Sequence, residues 1–163
     1  MTRIPHVPTM APSEITAILN NVDVLLNEGK PKQALEMLAR AKLESEWLRN
    51  AAAVCHLRSG NAQAAVDLLR PLVIDERTFN FRDDTPLVFR TNFAVALFLA
   101  NNVEGCLSAL RRMKDIKHAG LERLREAIAR WQAGFSLFQK ISWWLGNIPA
   151  HPPVVDYPPG DLE

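Results

Sequence analysis

The sequence predicts an all-α fold. Apolar residues recur at steps of three and four over most of its length, and turn residues punctuate these runs at short intervals. No stretch sustains the two-residue alternation of a half-buried strand. With 163 residues, 48% of them hydrophobic, the chain suits one compact domain with a sizeable core.

The elements follow in order. Ile15, Ile18, Leu19, Val22, Leu25 and Leu26 recur at helical spacing, and Gly29 with Pro31 marks the end of that helix. Pro31 suits the first turn of a second helix, which carries Ala34, Leu35, Leu38 and Ala41 on one face. Ser45 is placed to cap a third helix over 46–58, closed by Gly60. A fourth carries Ala64, Ala65, Leu68 and Leu69 and should kink or stop at Pro71. The polar run 75–84 reads as a loop. Thr85 and Pro86 read as the cap and first residue of a fifth helix reaching about residue 100, and Asn101-Asn102 separates it from a sixth over 103–114.

Three pieces of the chain look alike when aligned on their turns: NEGKPKQALEMLARA, RSGNAQAAVDLLRPL and ANNVEGCLSALRRM. Each has a turn residue (Gly29, Gly60, Asn101), a small residue five places on (Ala34, Ala65, Cys106) and a leucine four beyond that (Leu38, Leu69, Leu110). Val22, Ala53 and Ala94 precede the small residues by twelve places. The turns are 31 and 41 residues apart, the longer interval containing the 75–84 insertion. The spacing suits paired antiparallel helices. Small side chains let the two backbones approach, and a leucine one turn on fills the groove between them. One such hairpin cannot bury its apolar faces alone, so neighbours stack.

This pattern resembles the tetratricopeptide (TPR) repeat, whose usual period is 34 residues. The resemblance covers about three repeats over 13–118 and is degenerate. The family's early Trp is replaced by Ile18, Arg49 and Arg90, and its closing Pro by Glu46, Arg77 and His118. The later small position holds Ala41, Leu72 and Met113. Another helical bundle or a HEAT-like array is the alternative architecture. The expected fold is therefore a TPR-like α-solenoid of about three hairpins with a long C-terminal capping helix and a Pro-rich tail. Its segments are an N-terminal extension (1–12), the repeats (13–118), the capping helix (119–146) and the tail (147–163).

For the capping helix, Leu121, Leu124, Ile128, Trp131, Phe135 and Phe138 form an apolar stripe, with Leu145 beyond it. A second stripe of Leu137, Ile141 and Trp144 joins it, with Trp143 alongside. One long, kinked helix is expected, a degenerate fourth hairpin being the alternative. Five of the last fifteen residues are proline. That tail should be extended, either a disordered terminus or a segment lying in a groove of its own or a neighbouring chain, anchored by Val154, Val155 and Tyr157.

Composition excludes several function classes. Nineteen Lys and Arg against eighteen Asp and Glu leave a charge of +1, which argues against a strongly basic nucleic-acid surface. Arg123, Arg125 and Arg130 are interleaved with Glu122 and Glu126 and read as a solvated helix face, as does the run Arg111, Arg112, Lys114 and Lys117. The most apolar stretch, 92–100, is about half a membrane span, and the N-terminus lacks the apolar core of a signal peptide. A cytoplasmic protein with reduced thiols is expected.

No phosphate loop, dinucleotide fingerprint, zinc-protease or nucleophile-elbow motif is present. His6, His56, His118 and His151 lack ligand spacing, and His56 reads as half-buried. Cys55 and His56 are neighbours on a helix and point about 100° apart. Cys106 takes a small core position. Neither catalytic residue, metal site nor cofactor is assigned.

What remains is an interaction surface. The resemblance implies that the first helix of each hairpin lines a concave groove. By position that groove is lined by Thr16, Leu19, Asp23 and Leu26, then Trp47, Asn50, Val54 and Leu57, then Val88, Thr91, Val95 and Phe98. Trp47 and Phe98 are the candidate anchors. The family's carboxylate-binding mode has only Asn50 to support it. The mostly apolar lining implies an apolar peptide or helix as ligand. The expected function is non-catalytic protein–protein interaction, as adaptor, scaffold or assembly factor. Length and repeat count also resemble the class II type III secretion chaperones, which is one alternative. The other is a self-associating subunit, a homodimer paired through Trp143 and Trp144. Against the open groove stands the reading of its residues as plain core, covered by the C-terminal helix folding into the concavity.

Overall fold

The computed structural model describes residues 11–41, 45–147 and 152–163. Most of the expected N-terminal extension, with His6 and His151, lies outside the described residues. Among the described residues there are eight helices and no strand, only an isolated bridge between Ile74 and Phe81. The helices are α1 (Pro12–Asn27), α2 (Pro31–Arg40), α3 (Glu46–Arg58), α4 (Ala62–Val73), α5 (Leu87–Leu99), α6 (Val103–Arg112), α7 (Ala119–Ala133) and α8 (Leu137–Trp144). None is long and apolar enough to cross a membrane.

The boundaries have local causes. Ser45 Oγ accepts from the Trp47 amide at 3.2 Å, and Asn102 Oδ1 from the Gly105 amide at 2.9 Å, so both cap as short polar residues should. Gly29 and Gly60 leave α1 and α3 at φ +70° and +76°, a conformation that L side chains rarely adopt. Asn101 does the same after α5 at φ +61°, which asparagine tolerates best among the others. Pro71 sits inside the last turn of α4, which ends two residues later at Val73. The 75–84 loop is pinned by Asp75 Oδ1, which accepts from the Arg77 amide at 2.7 Å.

Two expectations are corrected. Thr85 does not cap α5; its hydroxyl donates instead to the Leu72 carbonyl at 2.9 Å, a tertiary bond to the end of α4, and Pro86 takes the cap position. Nor do residues 119–146 form one long helix. Gly134 ends α7, and Ser136 opens α8 with a capping box, its Oγ accepting from Gln139 N while Gln139 Oε1 accepts from Ser136 N.

Consecutive helices from α1 to α6 pack on one another, and the odd-numbered helices also touch in series, α1 on α3, α3 on α5 and α5 on α7. Two apolar clusters result. One holds Val22, Leu26, Ala34 and Leu38 against Leu48, Ala51, Ala52 and Val54 of α3. The other runs from Ala53 and Leu57 through α4, α5 and α6 to Leu121, Leu124, Ile128 and Trp131 of α7. The small residues Ala53, Ala65, Ala94 and Cys106 are all fully buried within it. Because α3 and α5 have neighbours on both flanks, they are buried almost all round. Their few polar side chains must therefore find partners inside.

Candidate functional site

Asn50 on α3 and Asn92 on α5 are completely buried. A buried carboxamide is stable only with its donors and acceptor engaged. Asn92 Nδ2 donates to Asn50 Oδ1 at 2.9 Å and to the Asp161 carbonyl at 2.7 Å, and Asn92 Oδ1 accepts from the Asp161 amide at 2.9 Å. Both main-chain groups of one residue are thus held by one side chain, much as a neighbouring strand would hold them. Asn50 Nδ2 reaches the same carbonyl at 3.5 Å.

Asp161 belongs to the Pro-rich tail, of which residues 152–163 lie across the odd-numbered helices. Pro153 is buried and Val155 packs on the larger apolar cluster. Asp156 pairs with Arg130 Nη2 at 2.7 Å. The Tyr157 ring lies under the Arg123 guanidinium, 5.4 Å from its centroid, and burial pushes the phenol up to about 12. Arg58 Nη2 donates to the Gly160 carbonyl at 3.1 Å, and Arg123 Nη2 meets Asp161 Oδ2 at 2.5 Å. Leu162 packs on the α1–α3 cluster. The Arg130 pair is largely exposed and contributes little, about 0–1 kcal/mol. The clamp on Asp161, shielded by α3, α5 and α7, is the stronger hold.

Gly160 is required where it stands. Its φ is +84°, and a Cβ there would come within 3.1 Å of Val54 Cγ2 and 3.2 Å of Leu57 Cδ1. Gly120 at the start of α7 makes room from the other side, since a Cβ on it would lie 3.1 Å from Asp161 Oδ2. Alongside residues 161–163 the groove widens into a cavity of about 480 Å³ lined by Leu19, Asn20, Asp23, Arg58, His118 and Arg123 among others.

The structure divides the residues expected at an interaction surface. Asn50, Val54 and Leu57 lie beneath residues 160 and 161. Val95 and Phe98 are core, Phe98 fully buried with its ring 5.6 Å from Trp131 in an edge-on contact. Leu26, Val88 and Thr91 are likewise buried, the Thr91 hydroxyl donating to the Leu87 carbonyl. Trp47 is half-exposed and lies edge-on to Phe89 at 4.9 Å. Trp143 packs on Trp131 and Phe135, whereas Trp144 is 83% exposed. Of the expected tail anchors, Val155 and Tyr157 are seated and Val154 faces out.

Asn92, Arg58, Arg123 and Arg130 were not among the expected groove residues. A signal existed for three of them. Asn92 is a polar residue opening the most apolar stretch of the chain, and Arg123 and Arg130, seven apart, share one helix face. Burial pushes the Cys55 and Cys106 thiols up to about 12, so both are protonated packing groups at neutral pH. Among the described residues no group of three or more His, Cys, Asp or Glu side chains is arranged to hold a metal ion.

No protein-family model matches the chain, and comparisons with curated proteins and with solved structures return no significant match.

Proposed function

We propose that the chain is a TPR-like helical-repeat module whose function is non-catalytic protein–protein interaction, holding an extended segment of a partner on the face formed by α1, α3, α5 and α7. One observation carries this reading: an extended segment already lies there, its main chain gripped by Asn92. A clamp on backbone amide and carbonyl fits any extended peptide, with side-chain pockets adding selectivity. The serial contacts of the odd helices and the buried small residues at the hairpin positions support the repeat architecture. Adaptor, scaffold and assembly-factor roles in the cytoplasm all fit such a groove, as does that of a secretion chaperone.

The test is selection from a random displayed-peptide library on full-length protein carrying Gly160→Val, which unseats the resident segment. Peptides should enrich on it and bind at least tenfold more weakly when Asn92→Ala is added. A library that yields no binder, or binders indifferent to Asn92, overturns the module.

A second surface favours self-association as a second reading. Helix α8 has no buried residue, and Leu137, Phe138, Ile141 and Trp144 are each between 58% and 83% exposed. Such a contiguous apolar face on a short helix marks a contact surface. Light scattering should then find a dimer that Trp144→Glu converts to a folded monomer; a wild-type monomer at high concentration ends this reading.

A further inference from the structure

We propose that residues 152–163 are a resident pseudo-ligand, and that the groove's partner is a protein presenting the same chemistry: an acidic extended segment with an aromatic residue followed, three places on, by Gly-Asp-aliphatic. The inference rests on the peptide-module reading above and adds the sequence that the groove selects.

Each position of that pattern has its own contact in the groove, Arg123 serving two of them. The glycine is demanded by conformation and space together, at φ +84° with Val54 and Leu57 closing on the missing Cβ. The aspartate is read by Arg123 at 2.5 Å, in a space that a Cβ on Gly120 would crowd to 3.1 Å from Asp161 Oδ2. The aliphatic residue enters the apolar cluster of α1, α2 and α3, as Leu162 does. The aromatic lies under Arg123. The overall sign matches too, because Arg58, Arg123 and Arg130 face a segment whose charged residues are Asp156, Asp161 and Glu163.

The resident leaves room for a better ligand. The cavity of about 480 Å³ runs beside residues 161–163. Arg58 Nε and Arg123 Nε are buried and have no hydrogen-bond partner among the described residues. Arg58 and Arg123 also line this cavity, so a partner segment with a further carboxylate there would meet their guanidinium groups and fill the space. The intramolecular segment competes at high effective concentration, so an outside ligand sees only the small fraction of chains whose groove is open. Displacement therefore favours ligands that improve on the resident, which suits a groove meant to reject casual peptides.

The experiment uses full-length protein and a fluorescein-labelled VVDYPPGDLE peptide, read by fluorescence anisotropy. Wild type should bind the peptide at least tenfold more weakly than protein carrying Gly160→Val, with Asp161→Lys as a second variant that unseats the segment by charge. Helicity measured by circular dichroism verifies that both are folded. On either variant, the peptide with Gly160→Val or Asp161→Asn should lose at least tenfold in affinity. Equal binding to wild type and variants, or equal binding of native and scrambled peptides, overturns the proposal. So does a wild-type dimer that both tail-unseating variants convert to a monomer in sedimentation, the mark of tails exchanged between copies. If library-selected peptides bind through Asn92 while the tail peptide does not, the pseudo-ligand fails and the module stands. If neither binds, both fall.

Discussion

Phe98→Ala should destabilise the protein by about 3–5 kcal/mol, the range for removing a fully buried phenylalanine ring. Phe98 has no exposed surface, and its ring abuts Trp131, which in turn meets Phe135 and Trp143. Truncation opens a cavity where α5 meets α7 and removes the support beneath this aromatic group. For a chain of this size the melting temperature should fall by about 10 °C or more. Thermal unfolding followed by circular dichroism measures it. A loss below about 1 kcal/mol would mean that Phe98 faces a groove after all, as the repeat register suggests.

Asn92→Ala should have the second-largest effect, and of another kind. It removes two bonds to the main chain of Asp161 and strips Asn50 of its partner, leaving that buried carbonyl oxygen unpaired. The combined loss is about 2–4 kcal/mol, most of it from the unpaired buried group. The distinctive readout is local. In wild type the Asp161 amide is bonded to Asn92 Oδ1, so its hydrogen exchange should be protected. In the variant it should exchange at least a hundredfold faster, and protease should clip within 152–163 while the helices persist. Retained protection at Asp161 would remove Asn92 from the clamp.

Much of the fold is legible from local chemistry. The periodic apolar positions set α1 to α6, and Ser45 and Asn102 cap where short polar side chains should. Thr85 misleads because a contact between elements, its bond to the Leu72 carbonyl, outweighs the local cap. The break before α8 is written in the sequence as Ser136 followed three places later by Gln139, but an unbroken apolar stripe across 121–138 hides it.

The site is harder to read for a physical reason. Helix α5 is apolar on every side, so its pattern cannot distinguish a residue facing a groove, such as Asn92, from one facing the core, such as Phe98. Repeat register places Phe98 in the groove and passes over Asn92, six residues before it. The arginines of α7 look solvated in one dimension. Only the return of a segment some thirty residues downstream reveals that Arg123 and Arg130 answer Asp161 and Asp156.

That return also changes how the molecule should melt. A row of helix pairs touching only their neighbours frays from its ends, because terminal pairs have half the contacts. Here the segment 152–163 touches α7, α5 and α3 and sets Leu162 against the cluster that includes α1, so the first and seventh helices are laced together. Its contacts join residues as far apart as Asn50 and Asp161, the kind of distant closure that forms late in folding. Unlacing it should let α1 and α2 open before the rest, turning one cooperative transition into two.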